Sequence, residues 1–229
     1  MSARQQADSN RSTAVVIPVK GKNPKERLSS LLSPTHRRQL QIAMLEDTLQ
    51  TLIKARMVAC TFVVSSDPDI LDFVQRFGAR AITEPGDEGV NAAVNRGLEA
   101  TASYDRRLII PADLPLFAVE DMKAGPMLAR EGAQVVVSPS ETFDGTNMLL
   151  FTRGVGLALH YDDDSFRKHF ASATARGLRV AVYYSRGVGF DIDRPSDIHR
   201  FFKYQRRGST LTFLGRTLRK AQRARAQRR

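Results

Sequence analysis

The chain has 229 residues, 42% of them hydrophobic, and a formal net charge of +11. That length suits one domain of ordinary size with at most an appendage, and the apolar share is enough for a sizeable core. There is no run of about 18 apolar residues to span a membrane, and the polar start MSARQQADSNRST lacks the apolar stretch of a secretory signal. The single cysteine, Cys60, excludes an internal disulfide and suits a reducing cytoplasm. Set in VACTFVVSS, it reads as a small core residue.

The predicted elements alternate along the chain. Residues 1–13 read as a flexible N-terminus, and AVVIPV (14–19) as a strand. Residues 34–55 have a helical apolar period, with Ser33 as N-cap and Pro34 at the first position. CTFVVSS (60–66) is a strand, DILDFVQRF (69–77) a helix, ARAITE (79–84) a strand and GVNAAVNRGLEATA (89–102) a helix. RRLIIPA (106–112) is a strand; 118–131 is mostly helix, with Pro126 marking a kink or break. AQVVVSP (133–139) and TNMLLFT (146–152) are strands, and 165–177 is a helix ending at Gly177. LRVAVYYS (178–185) and VGFDID (188–193) are strands, and PSDIHRFFKYQ (195–205) is a helix. This alternation predicts an α/β fold: a Rossmann-like, mostly parallel sheet with helices on both faces, in a single domain over 14–205.

The charge sits at one end. From Phe201 to Arg229 there are ten Lys or Arg and no acid, which leaves the first 200 residues at +1. Residues 206–229 are expected to form a basic helical tail. Leu211, Leu214, Leu218 and Ala221 give it one apolar face, able to dock on the body or to make a homodimer through this helix.

Ligands of open α/β sheets sit at the carboxyl ends of the strands. After the first strand comes PVKGKNPKERLSS, with Lys20, Lys22, Lys25 and Arg27 and one acid. A basic, Gly- and Pro-containing loop anchored on a buried strand suits a polyphosphate. It is neither GxxxxGK[ST] nor GxGxxG. Asp113, in RRLIIPADLPLF, is raised between prolines at the end of a buried strand, where a carboxylate can grip Mg²⁺. Asp191 and Asp193, two apart on a predicted strand, share a face. The four histidines have no ligand-like spacing and read as surface or packing residues.

IPVK…KERLS (17–29), PADLPL (111–116), DGTN (144–147), SFRKH (165–169) and DIDRPSDI (191–198), in this order, resemble the CofC/FbiD guanylyltransferases of the MobA-like nucleotidyltransferase group. The resemblance implies transfer of GMP from GTP to a phosphorylated three-carbon acid: 2-phospho-L-lactate, phosphoenolpyruvate or 3-phospho-D-glycerate. The product would feed coenzyme F-420 synthesis, with the next enzyme of that pathway as partner. By the resemblance, Lys20, Lys25 and Arg27 hold the GTP phosphates and act in catalysis with Asp113. Asp113 and Asp193, with Asp191 as a close third, hold the metal. Gly89 and Asn91 read the nucleotide, and Thr146 and Ser165 bind the acceptor.

One departure stands out. Tyr161-Asp162-Asp163-Asp164-Ser165 replaces the expected Gly-Pro-Gly-Ser turn. Either these acids cap the following helix, or Asp162 accepts a hydroxyl of the acceptor, which favours 3-phospho-D-glycerate. Two further readings stay open. Another MobA-like nucleotidyltransferase would share Asp113 and the DID segment, although the glycine-rich first loop of that type is missing. A nucleic-acid-binding protein would use the basic tail, which lacks interleaved aromatics.

Overall fold

The computed structural model describes residues 13–204 and 206–226, with backbone alone for 221–226. Seven strands form one sheet in the order β3-β2-β1-β4-β6-β5-β7. They are β1 (Thr13–Pro18), β2 (Cys60–Ser65), β3 (Arg80–Thr83), β4 (Arg106–Ile109), β5 (Val135–Pro139), β6 (Thr146–Thr152) and β7 (Val180–Val182). Only β6 runs antiparallel, against β4 and β5. The mostly parallel α/β sheet read from the alternation is what forms. Apart from Thr13, the expected flexible N-terminus lies outside the described residues.

Strand residues alternate between two cores, as a period of two requires. Val15, Ile17, Val63, Leu108 and Leu150 face one way, under α1 (Pro34–Ala55), α2 (Pro68–Gln75) and α4 (Val119–Arg130). Val16, Val64, Ile109, Leu149 and Phe151 face the other, under α3 (Val90–Ala100) and α5 (Ser165–Ala175). Ser33 caps α1 by accepting from the His36 amide, with Pro34 at the first position. Gly177 follows α5 in the left-handed conformation, φ +68°. Helix α4 does not break at Pro126 but runs through it. Cys60 is half-buried at the start of β2 rather than in the core.

The expected strand over 188–193 does not form. Strand β7 lies at the sheet edge and pairs only with β5. Beyond it, the Ser185 hydroxyl accepts from the Val188 amide and caps a helical turn, α6 (Arg186–Gly189). The Asn147 side-chain amide donates to the Val188 and Gly189 carbonyls, and the Glu141 amide also donates to Gly189 O. These bonds satisfy the backbone that a ladder would otherwise have used.

Helix α7 (Pro195–Lys203) and the tail helix α8 (Ser209–Ala226) build a third core. Leu214 is fully buried there beside Leu40, Met44, Leu116, Phe190 and Ile192, with Leu211 and Leu218 packed alongside. The apolar face of the tail therefore docks on the body of its own chain; the Ala221 side chain lies outside the described ones. Asp47 of α1 caps α8 across the chain, accepting from the Ser209 and Thr210 amides at 2.7 and 3.0 Å. Arg206 donates to the carbonyls of Leu116 and Phe117, so one tail cation braces the segment that follows Asp113. Among the described residues no helix is long and apolar enough to cross a membrane.

Candidate active site

Strands β2 and β3 extend from one side of β1, and β4, β6, β5 and β7 from the other, so the crevice of this sheet opens beyond the carboxyl ends of β1 and β4. The basic loop leaves β1 there, and two helix residues one turn apart pin it. Gln41 donates to Lys20 O at 3.0 Å, and the buried Arg37 guanidinium donates to Pro24 O at 3.1 Å. From the other side the Asp87 carboxylate accepts from the amides of Gly21 and Lys22 at 3.0 and 2.8 Å, and from the Ser66 hydroxyl. Burial opposes the Asp87 charge, but the Ser66 hydroxyl and the two amides outweigh it and hold the carboxyl below its usual value. Gly21 sits against this clamp: a Cβ there would lie 2.2 Å from Ser66 Oγ and 3.0 Å from the Asp67 amide nitrogen.

Asp113 stands in the turn after β4, four residues past the strand end at Ile109. Buried Leu114 and Phe117 hold that turn, and the Ile192 amide donates to Asp113 O. This bond draws residues 191–193 alongside. Although 188–193 is not a strand, the chain here still alternates. Ile192 is fully buried in the third core, while the carboxylates of Asp191 and Asp193 turn to Asp113. One oxygen from each of Asp113, Asp191 and Asp193 lies within 4.8 Å of the others. Burial, then the charges of Asp113 and Asp193, push the Asp191 carboxyl up to about 7. Three half-buried carboxylates at this spacing are a hard oxygen donor set, which fits a divalent cation such as Mg²⁺.

Lys25 lies inside this cluster. Its Nζ is 2.6 Å from Asp113 Oδ2 and 2.6 Å from Asp193 Oδ1, and its side chain is 9% exposed. Burial opposes the ammonium charge, but the two carboxylates overcome it and hold the group above the ordinary lysine value. Arg27 stands at the rim, 69% exposed and 3.6 Å from Asp193 Oδ2; Lys20 is 55% exposed, 3.7 Å from Glu26. Lys20, Lys25, Arg27, Val90, Asp113 and Asp193 line one cleft of about 340 Å³.

Gly89, Asn91, Thr146, Asp162 and Ser165 are not among the residues that line that cleft. Gly89 precedes α3 with φ +95°, next to the lining residue Val90. Asn91 Oδ1 accepts from the Tyr161 amide at 2.9 Å, tying the start of α3 to the segment before α5. Asp162 is exposed and pairs with Lys168 at 3.0 Å. Asp164 takes the N-cap place of α5 at φ 58° without a side-chain capping bond. It thus occupies the left-handed conformation that glycine adopts at least cost, at the place where the expected turn has glycine. Sequence reading missed Arg37, Gln41 and Asp87. The first two interrupt the apolar period of α1 at a spacing of four, which is a legible signal; nothing in GDEG singles out Asp87 over Glu88.

Thr146 and Ser165 are buried and meet each other. The Ser165 hydroxyl accepts from the Thr146 amide at 2.8 Å and donates to Thr146 Oγ1. His169, fully buried, completes the network. Its Nε2 accepts from the His160 amide, so the proton is on Nδ1 and is donated to Thr146 Oγ1 at 2.9 Å. Burial, then the nearby His160, lowers its pKa to about 4 from 6.5. The unfolded chain therefore takes up a proton that the folded one refuses. Stability from this group is full above pH 6.5 and falls by about 1.4 kcal/mol per unit as the pH drops toward 4. Urea unfolding at pH 7 and pH 5 should show a smaller loss in His169→Gln than in the parent; equal losses would contradict this assignment.

The chain matches the family described as guanylyl transferase CofC like over residues 13–224. It is 36% identical over 194 residues to a phosphoenolpyruvate guanylyltransferase of Rubrobacter xylanophilus, covering 82% of this chain and 93% of that protein. It is 34% identical over 188 residues to a 2-phospho-L-lactate guanylyltransferase of Methanothermobacter thermautotrophicus, covering 81% and 82%. A 3-phospho-D-glycerate guanylyltransferase of Phenylobacterium zucineum is 33% identical over 182 residues, covering 77% and 83%. In fold, the chain resembles a nucleotidyl transferase from Methanothermobacter with a TM-score of 0.60 at 17% identity, covering 84% of this chain and 96% of that one. With a basic loop and two of three clustered carboxylates, Asp113 and Asp193, lining one cleft of an α/β sheet, and a family match along nearly its whole described length, the chain belongs to the CofC-like guanylyl transferases.

Proposed function

We propose that this enzyme transfers GMP from GTP to a small phosphorylated three-carbon acid, 3-phospho-D-glycerate before 2-phospho-L-lactate or phosphoenolpyruvate, in coenzyme F-420 synthesis. The observation that carries the reading is the meeting, in one cleft at the sheet's switch point, of a basic loop with Asp113 and Asp193, two members of a cluster of three carboxylates. An acceptor phosphate oxygen bonds to the α-phosphorus, the α–β bridge breaks, and pyrophosphate leaves with the electron pair. The acceptor phosphate is already deprotonated near neutral pH, so no general base is needed. The barrier is the approach of two anions. Lys20 and Arg27, exposed at the rim, are placed to offset it on the triphosphate. Asp113, Asp191 and Asp193 would hold Mg²⁺, which supplies charge neutralisation to the leaving pyrophosphate.

The preference among acceptors rests on Asp162. Lys168 engages its Oδ1, which leaves Oδ2 able to accept a hydroxyl hydrogen from an acceptor that has one. Phosphoenolpyruvate has none. Pyrophosphate release from GTP and Mg²⁺ with each of the three acids tests the reaction, and no release with any acid would refute it. Asp162→Gly should cut the preference for 3-phospho-D-glycerate over phosphoenolpyruvate by about tenfold, the worth of one hydrogen bond to a charged group. An unchanged ranking of the acids would remove the role of Asp162.

A further inference from the structure

We propose that Lys25 is a resident cation of the metal seat: its ammonium and a divalent ion are alternatives for the same carboxylate oxygens, and the triphosphate draws the ammonium out. This rests on reading Asp113, Asp191 and Asp193 as that seat.

Three observations lead here. The first is geometric. Lys25 Nζ lies 2.6 Å from one oxygen of Asp113 and 2.6 Å from one of Asp193. Both acids belong to the trio whose oxygens come within 4.8 Å of one another. A divalent ion bound to those oxygens at about 2.1 Å would stand within about 5 Å of the ammonium, in a half-buried site that screens poorly. The second is exposure. At 9% exposed, Lys25 presents almost nothing to a triphosphate, whereas Arg27 and Lys20 stand open beside it. To touch a phosphate, Lys25 has to leave the carboxylates. The third is the backbone. Asn23 and Lys25 both have positive φ, 43° and 54°, in a loop that Gln41 and Arg37 of α1 pin at the Lys20 and Pro24 carbonyls. Two non-glycine residues in the left-handed region within three positions mark a strained segment, and strain of this kind favours rearrangement once its restraining contacts are exchanged.

The consequence is an order of binding. Without nucleotide the seat is already neutralised in part, and a divalent ion binds weakly because it must expel the ammonium. With GTP the phosphates offer Lys25 a new partner, so nucleotide and metal enter together and the freed ammonium joins Lys20 and Arg27. A lysine that stayed on the carboxylates would still repel the ion across about 5 Å, so tighter binding on its removal reports the competition, and release of the ammonium, read by acetylation, reports the exchange.

The test uses Mn²⁺ alone, without nucleotide, its free concentration read by electron paramagnetic resonance. Lys25→Met keeps the apolar stem and removes the charge, and should bind Mn²⁺ at least tenfold more tightly than the parent. Equal or weaker binding overturns the proposal. Absence of binding to both proteins overturns it together with the metal assignment. Because three uncompensated carboxylates can unfold the variant, the parent protein gives an independent reading. Acetylation by acetic anhydride, located by mass spectrometry, should spare Lys25 without metal and modify it at saturating Mn²⁺, while Lys20 reacts under both conditions. Lys25 still protected at saturating Mn²⁺ refutes the exchange. Neither readout involves turnover, so failure here is separate from failure of guanylyl transfer, which pyrophosphate release reports.

Discussion

Asp113→Asn is expected to lower kcat for guanylyl transfer by about 10³-fold, the scale lost when preorganised charge facing a reacting phosphoryl group is removed. The substitution keeps shape and volume, and it takes one of the three negative charges from the seat. Asp113 is set in its turn by buried Leu114 and Phe117 and by the Ile192 amide on its own carbonyl, none of which depends on the side-chain charge. The fold should therefore survive, with thermal unfolding close to the parent. Lys25 keeps Asp193 as ion partner, so its ammonium is not left alone in the cleft. The check is pyrophosphate release measured beside a melting curve. A variant that melts normally and retains more than a tenth of the parent rate would shift the metal role onto Asp191 and Asp193.

Gly21→Ala should reduce kcat/KM for GTP by about 100-fold, the cost of displacing a positioning loop by roughly 1 Å. Here glycine is required by close approach. The added carbon would meet Ser66 Oγ at 2.2 Å and the Asp67 amide nitrogen at 3.0 Å. The first is a side chain that can turn; the second is backbone that opens α2, where Asp67 is the N-cap, and cannot move cheaply. The loop must shift instead, and it carries Lys20, Lys25 and Arg27 with it. Asp87 would lose its grip on the Gly21 and Lys22 amides in the same movement. Stability should change less than activity, because the loop's buried anchors Leu28 and Leu32 lie well beyond Gly21. Adding Ser66→Gly removes the nearest atom and should restore part of the lost kcat/KM. An alanine variant with parental kinetics would show that the loop is not held as described.

Much of this protein is local, and the sequence by itself determined that part. Strand and helix periods, the Ser33-Pro34 start of α1 and Gly177 after α5 are set by neighbours a few residues away, and apart from the strand read over 188–193 they formed as elements of the type expected. Asp113 was legible because an acid between prolines after an apolar strand has few other uses. The alternation that pairs Asp191 with Asp193 held even though 188–193 is not a strand. Being a strand depends on a partner, and here Asn147 and the Glu141 amide take the Val188 and Gly189 carbonyls instead. Tertiary structure alone decided the rest, since those contacts join distant parts of the chain. Lys25 meets acids 88 and 168 residues away, and Asp87 clamps amides 66 and 65 residues back. The tail's apolar face was free, in sequence, to choose between its own body and a second subunit. The third core chose for it, because burying Leu214 under Leu40, Met44 and Phe190 removes that surface from water within one chain.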